Sequence, residues 1–135
     1  MVRQGLLAAA AFVCGAGFAT MWTAPAAAQD RQTTTKELTR VDLGAWCPGK
    51  EVVITHLTNS PGSSGRHSHP AYSFSYVLEG VQVVTPDGKA PYTARTGDLQ
   101  FEAPYAVSAT RTAEPSKVVT FRILEKGKPA TIPAP

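Results

Sequence analysis

The sequence predicts an all-β protein, a single small barrel or sandwich built from roughly eight short strands. Three observations predict it. From Glu51 onward, runs rich in Val, Ile, Thr, Tyr and Phe follow one another closely, separated by Gly, Pro, Asn, Asp and Ser. Beyond residue 28, no segment carries the 3.6-residue apolar period over a helical length. Finally, Arg66-His67-Ser68-His69-Pro70 leads into Tyr72-Ser73-Phe74-Ser75-Tyr76-Val77-Leu78-Glu79-Gly80, alternating histidines before an aromatic strand that closes in a turn. On a strand, i and i+2 share a face, so His67 and His69 point the same way. Same-face imidazoles inside a barrel are a natural start for a transition-metal site.

The first 28 residues read as a signal peptide. Arg3 gives a short positive start, Leu6 to Phe18 an apolar run, and Ala26-Ala27-Ala28 a small-residue cleavage site, with the cut after Ala28. The rival reading is an uncleaved anchor, since the stretch is long enough to span a bilayer; Pro25 and the triple alanine favour cleavage. Cys14 follows Phe12-Val13 rather than the small residues of a lipoprotein signal. The mature chain is then periplasmic or secreted, with no membrane association after cleavage. Its 107 residues suffice for one domain around one core.

Arg3 leaves with the segment, so 12 basic residues face 10 acidic ones, scattered without a stripe or a run of one sign. That excludes a nucleic-acid surface. Cys47 becomes the single cysteine, so no intrachain disulfide can form. A packed thiol is the ordinary outcome, with interchain pairing and metal ligation open.

Taken in order, residues 29–50 are an N-terminal arm and a first strand, with Gln29 to Lys36 polar and mobile and Leu38 to Leu43 extended. Pro48-Gly49 forbids a helix in the link that follows. Residues 51–125 form the barrel. Glu51 to Thr58 is apolar on both faces, as in a buried strand, and Asn59 to Gly65 is a loop. The His67–His69 segment, Phe74 to Glu79 and Val81 to Thr85 come next, and Pro86-Asp87-Gly88 turns the chain. Pro91 to Arg95, Leu99 to Glu102, Tyr105 to Arg111 and Lys117 to Leu124 complete the strands, the last rich in β-branched residues around Phe121. Residues 126–135 are a Pro-rich tail, draped over the barrel or disordered.

This order of His-x-His, hydrophobic strand, Glu-Gly and a later Gly97-Asp98 resembles the cupin superfamily over roughly Glu51 to Leu124. In its first motif, His67, His69 and the closing Gly80 match, Gly62 lies one residue nearer His67 than the consensus, and the glutamate position falls on Ser73. In its second motif Gly97 matches, while Ala103, Tyr105 and Ser108 stand at the proline, glycine and histidine positions. The resemblance implies a single jelly-roll β-barrel of cupin type, and a homodimer paired through sheet edges, which also has a physical motive in covering those edges.

The family usually holds its metal with three His and one Glu, of which Ser73 and Ser108 replace two here. His67 and His69 remain as metal candidates, with Glu102 the candidate to complete a two-His, one-carboxylate set for iron, manganese, copper, nickel or zinc. Glu102 lies six residues before Ser108, Glu79 belongs to the hairpin end, and His56 could turn inward from the preceding strand. Tyr72, Ser73, Tyr76, Tyr105 and Ser108 are the expected pocket lining. Taken singly, Glu102 is more often a solvated strand-face charge, and the tyrosines sheet-face aromatics.

Three functions follow. The first is an exported cupin binding a small-molecule ligand, with or without a divalent transition metal on His67 and His69. The second is a metal-dependent dioxygenase or isomerase, in which the ion activates dioxygen or a substrate oxygen. The third is a non-catalytic interaction barrel. An inward Glu102 beside the imidazoles would favour the enzyme; an interior filled by Tyr and Phe rings would favour the interaction module. Ser64 and Ser68 lack an acid partner or elbow pattern, and no phosphate loop or Cys pair is present.

Overall fold

The computed structural model describes residues 30–135; the segment read as a signal peptide, with its expected cleavage site, lies outside them. The strands are β1 (Thr33–Asp42), β2 (Lys50–Asn59), β3 (Gly62–Ser63), β4 (His67–Ser68), β5 (Ala71–Glu79), β6 (Val81–Pro86), β7 (Tyr92–Arg95), β8 (Leu99–Glu102), β9 (Ser108–Thr112), β10 (Ser116–Glu125) and β11 (Ile132–Pro133). A single 3-10 turn at Gly44–Trp46 joins β1 to β2. Eight strands have four or more residues; β3, β4 and β11 are two-residue pieces, of which the sequence pattern marked only β4, within the His67–His69 segment.

All the sheet pairing is antiparallel. One sheet runs β1-β2-β10-β5-β8; the other runs β11-β4-β9-β6-β7, with β3 also on β9. The two sheets share no strand, so the jelly roll is a flattened, open barrel rather than a closed one. Side chains bridge them instead: Gln100 on β8 donates to Gln82 on β6 at 3.0 Å, and Ser108 on β9 donates to Glu102 on β8 at 2.6 Å.

One expectation is corrected here. Thr33 to Lys36, read as a mobile arm, is the first part of β1 and pairs with Asn59 to His56. Three threonines and Lys36 suit an extended chain, and their backbone groups pair with the otherwise open edge of β2 while the side chains stay exposed. Of the two alternatives for the tail, the draped one holds, since Ile132 and Pro133 pair with Ser68 and His67.

The core is small and mixed. Val53, Ala71 and Leu124 form its apolar cluster. Thirteen polar or charged residues are buried against eight apolar ones, so the space between the sheets cannot be a dry plug. The register explains their placement: Arg122 of β10 lies beside Ser73 of β5, which lies beside Glu102 of β8. One step along, Thr55, Thr120, Ser75 and Gln100 form a second row across β2, β10, β5 and β8. On the opposite face of the same strands, Tyr72, Phe74, Phe101 and Phe121 stack against one another, with ring centroids 5.2 to 6.4 Å apart.

Gly80 turns β5 into β6 at φ +87°, and a Cβ there would lie 2.7 Å from the Pro115 carbonyl oxygen. Gly80→Ala is expected to lower stability by about 2 kcal/mol, from left-handed strain plus the backbone clash. Urea unfolding reads this; a loss below about 0.5 kcal/mol would show that the turn relaxes freely.

Candidate functional site

Between the sheets lies a cavity of about 500 Å³, lined by residues that include His67, His69, Glu102, Arg31, Arg66 and Arg122. Its floor takes Arg122 and Glu102 from the first polar row and all of the second. Thr55 and Thr120 share a hydroxyl hydrogen bond at 2.6 Å, and Arg122 Nη1 donates to Thr120 Oγ1 at 3.1 Å. Further along, Asn59 and Gln82 both donate to Ser116 Oγ, at 3.1 and 3.3 Å.

The two histidines are held by backbone carbonyls. His67 Nδ1 lies 2.8 Å from the Gly65 oxygen, and His69 Nδ1 lies 2.7 Å from the Ala130 oxygen, with Thr131 Oγ1 at 3.3 Å. A carbonyl can only accept, so each Nδ1 carries the proton and each neutral ring keeps its lone pair on Nε2. The rings meet edge-on, 5.1 Å between centroids. His69 is 4% exposed. Burial first, then the nearby Arg122 charge, holds its imidazolium down to about 4, against the pull of Ala130 and Glu102. Its Nε2 faces Glu102 Oε2 at 3.5 Å, while Glu102 Oε1 accepts from Ser108. Ser108, at the family's third-histidine position, therefore serves to orient the carboxylate.

The cavity brings together three of the expected residues, His67, His69 and Glu102, with Ser108 behind the last. Ser73 is buried in the Arg122–Glu102 row, its hydroxyl without a partner among the described residues. The tyrosines are corrected. Tyr72, Tyr76 and Tyr105 are 53%, 45% and 63% exposed and none lines this cavity. On β5 they alternate with Ser73, Ser75 and Val77, and the inward parity belongs to the small residues. Tyr105 sits at φ +62° in the loop after β8, and with Tyr72 and Cys47 it borders a separate hollow on the outside. His56 lies between Lys36 and Val119 in the register, on the face opposite Thr55 and outside the cavity. Glu79 pairs with Lys117 at the surface.

Sequence reasoning missed Arg31, Arg122, Asn59, Gln82, Gln100 and the Ala130–Thr131 wall. One signal was available. On β10, Ser116, Val118, Thr120 and Arg122 alternate with Lys117, Val119, Phe121 and Ile123, and an arginine on the parity of buried residues is an anomaly worth a hypothesis.

The donor set does not fit a resident metal centre of the cupin kind. Both Nε2 atoms are free of other hydrogen bonds, yet among the described residues no three His, Cys, Asp or Glu side chains gather as a metal-binding group. The Arg122 charge, close enough to depress His69, also opposes a second cation there. The three candidates stand as an imidazole–carboxylate couple with His67 at its edge.

No known family profile matches the sequence, and no curated protein does. Solved structures do match. A cupin superfamily protein from Desulfitobacterium hafniense superposes with a TM-score of 0.58 at 15% identity, over 73% of this chain and 84% of that one. The DMSP lyase DddQ of Ruegeria pomeroyi gives 0.56 at 20% identity over 62% of this chain, which spans 43% of the lyase. The Clostridium difficile EutQ protein gives 0.56 at 14%, over 71% and 70%. The chain has the cupin fold. Within that fold its particular form is an open jelly roll with a polar cavity between the sheets.

Proposed function

We propose that the protein is an exported binding protein for a small polar molecule, held between the sheets beside His69 and Glu102. The observation that carries this reading is the cavity: about 500 Å³, within the range of small-molecule sites, and walled by polar side chains rather than filled by rings. An interaction barrel would have no use for the seven buried polar residues that line this cavity, each of which costs desolvation. The neighbours' names range from a lyase to an ethanolamine-utilisation protein, so the fold supports a pocket and no particular reaction. Export rests on the Arg3, Leu6 to Phe18 and Ala26-Ala27-Ala28 pattern.

A metal held by the two imidazoles alone, rather than a resident centre of the cupin kind, is the second reading, supported by the Nδ1 bonds that leave both Nε2 lone pairs free. One experiment separates the readings. The full chain is expressed in a Gram-negative host, recovered from the periplasm, and weighed by denaturing and native mass spectrometry. The expected result is a chain starting at Gln29, with an organic adduct that leaves on denaturation and is absent from Glu102→Gln. A near-stoichiometric metal adduct lost in His67→Ala/His69→Ala would instead establish the metal form. A chain retained in the cytoplasm would sink export, and an uncut one in the membrane would establish the anchor. No adduct, with no melting shift from any small polar compound in a metabolite collection, would sink binding.

A further inference from the structure

The cavity holds donors without acceptors and acceptors without donors. Arg122 is 7% exposed, and beyond its bond to Thr120 its Nε–H is buried with no acceptor among the described residues. None of the ion pairs among the described residues includes it. Arg31, half-buried, leaves Nε and Nη1 in the same state. The third cavity arginine, Arg66, is occupied by Asp87 and the Pro135 carbonyl. Elsewhere on the wall, His69 Nε2 and Glu102 Oε2 are two acceptors facing each other across 3.5 Å. Native proteins rarely bury donors such as the Arg122 Nε–H unmatched, and a site is the usual reason when they do.

Resting on the small-molecule reading above, we infer that the ligand is a small carboxylate that also carries a hydrogen-bond donor, as hydroxy acids and amino acids do. Its carboxylate sits on the guanidinium of Arg122, whose planar fork matches carboxylate geometry. Arg31 adds positive charge to the same cavity. The hydroxyl or ammonium enters between His69 Nε2 and Glu102 Oε2, supplying the proton that both lack. Two guanidiniums with buried, unmatched N–H groups against one carboxylate favour an anion over a cation or a neutral sugar.

Calorimetry on the dialysed mature protein tests this with lactate, malate, alanine and aspartate. Propionate and succinate serve as donor-free partners, and lactamide and malamide as uncharged ones. At least one donor-bearing acid is expected to bind one-to-one, about tenfold or more tighter than either partner. Hydroxy acids and amino acids are separated by which arm binds. Arg122→Gln is expected to weaken that acid by about thirtyfold or more, and Glu102→Gln to cut its advantage over the donor-free partner to below about threefold. Should Arg122→Gln fail to fold, Arg31→Gln at a half-buried position should weaken the acid by about three- to tenfold and its amide not at all. Amides binding as well as acids, or Arg122→Gln and Arg31→Gln both within about twofold of the parent, would overturn the inference. Neutral compounds binding where no acid does would overturn it and leave the pocket reading standing. Silence from acids and neutral compounds alike, with no adduct in the native spectrum, would remove both.

Discussion

Acidification from pH 7 to pH 4 is expected to cost the fold on the order of 3 kcal/mol through His69 alone. The sign follows from the direction of the shift. Burial and the Arg122 charge lower this imidazole from 6.5 to about 4, so the folded protein keeps it neutral where the unfolded chain binds a proton. The penalty is absent above pH 6.5, grows between 6.5 and about 4, and is complete below that. Urea unfolding across this window, compared with His69→Asn, isolates the effect, because Asn keeps a donor for the Ala130 carbonyl and does not titrate. Surface carboxylates such as Asp42 titrate in both proteins and cancel in the difference. Parallel pH profiles would mean that His69 accepts its proton in the folded state, with Glu102 as the partner.

Arg122→Met is expected to stabilise the ligand-free protein by about 2 kcal/mol at pH 7. The guanidinium is buried, its Nε–H has no acceptor among the described residues, and burial pushes its pKa down while Glu102 only partly restores it. Methionine has similar length, fills the row beside Val53 and Ser73, and removes the uncompensated charge. Its loss also lifts a repulsion from His69, so the acid-induced loss described above should shrink in the same variant. A rise in the urea midpoint at unchanged slope reads the prediction. A fall would mean that the Thr120 bond and cavity water already satisfy Arg122, and would weaken the case that the cavity awaits an anion.

Much of the frame was legible in the sequence. Gly/Pro punctuation and β-branched runs located all eight longer strands, and His-x-His placed two imidazoles on one cavity. What misled was parity. The aromatic residues of β5 look like core, but Tyr72, Phe74 and Tyr76 lie on the outer face while Ser73 and Ser75 face inward. A strand carries two faces of period two, and which one is buried depends on the sheet that covers it. Sequence alternation therefore offered two answers for β5 and for β10.

The sequence by itself determined the class: short strands, tight turns such as Gly80, and the paired histidines. Local propensity and backbone freedom suffice for these, because each depends on neighbours along the chain. Only the tertiary structure decided the site. Glu102 meets His69 across 33 residues, Ala130 reaches back to hold the same ring, and Arg122 joins them from the far end of the chain. These contacts are set by strand register and by how the two sheets face each other, and neither is written in the spacing of any one segment.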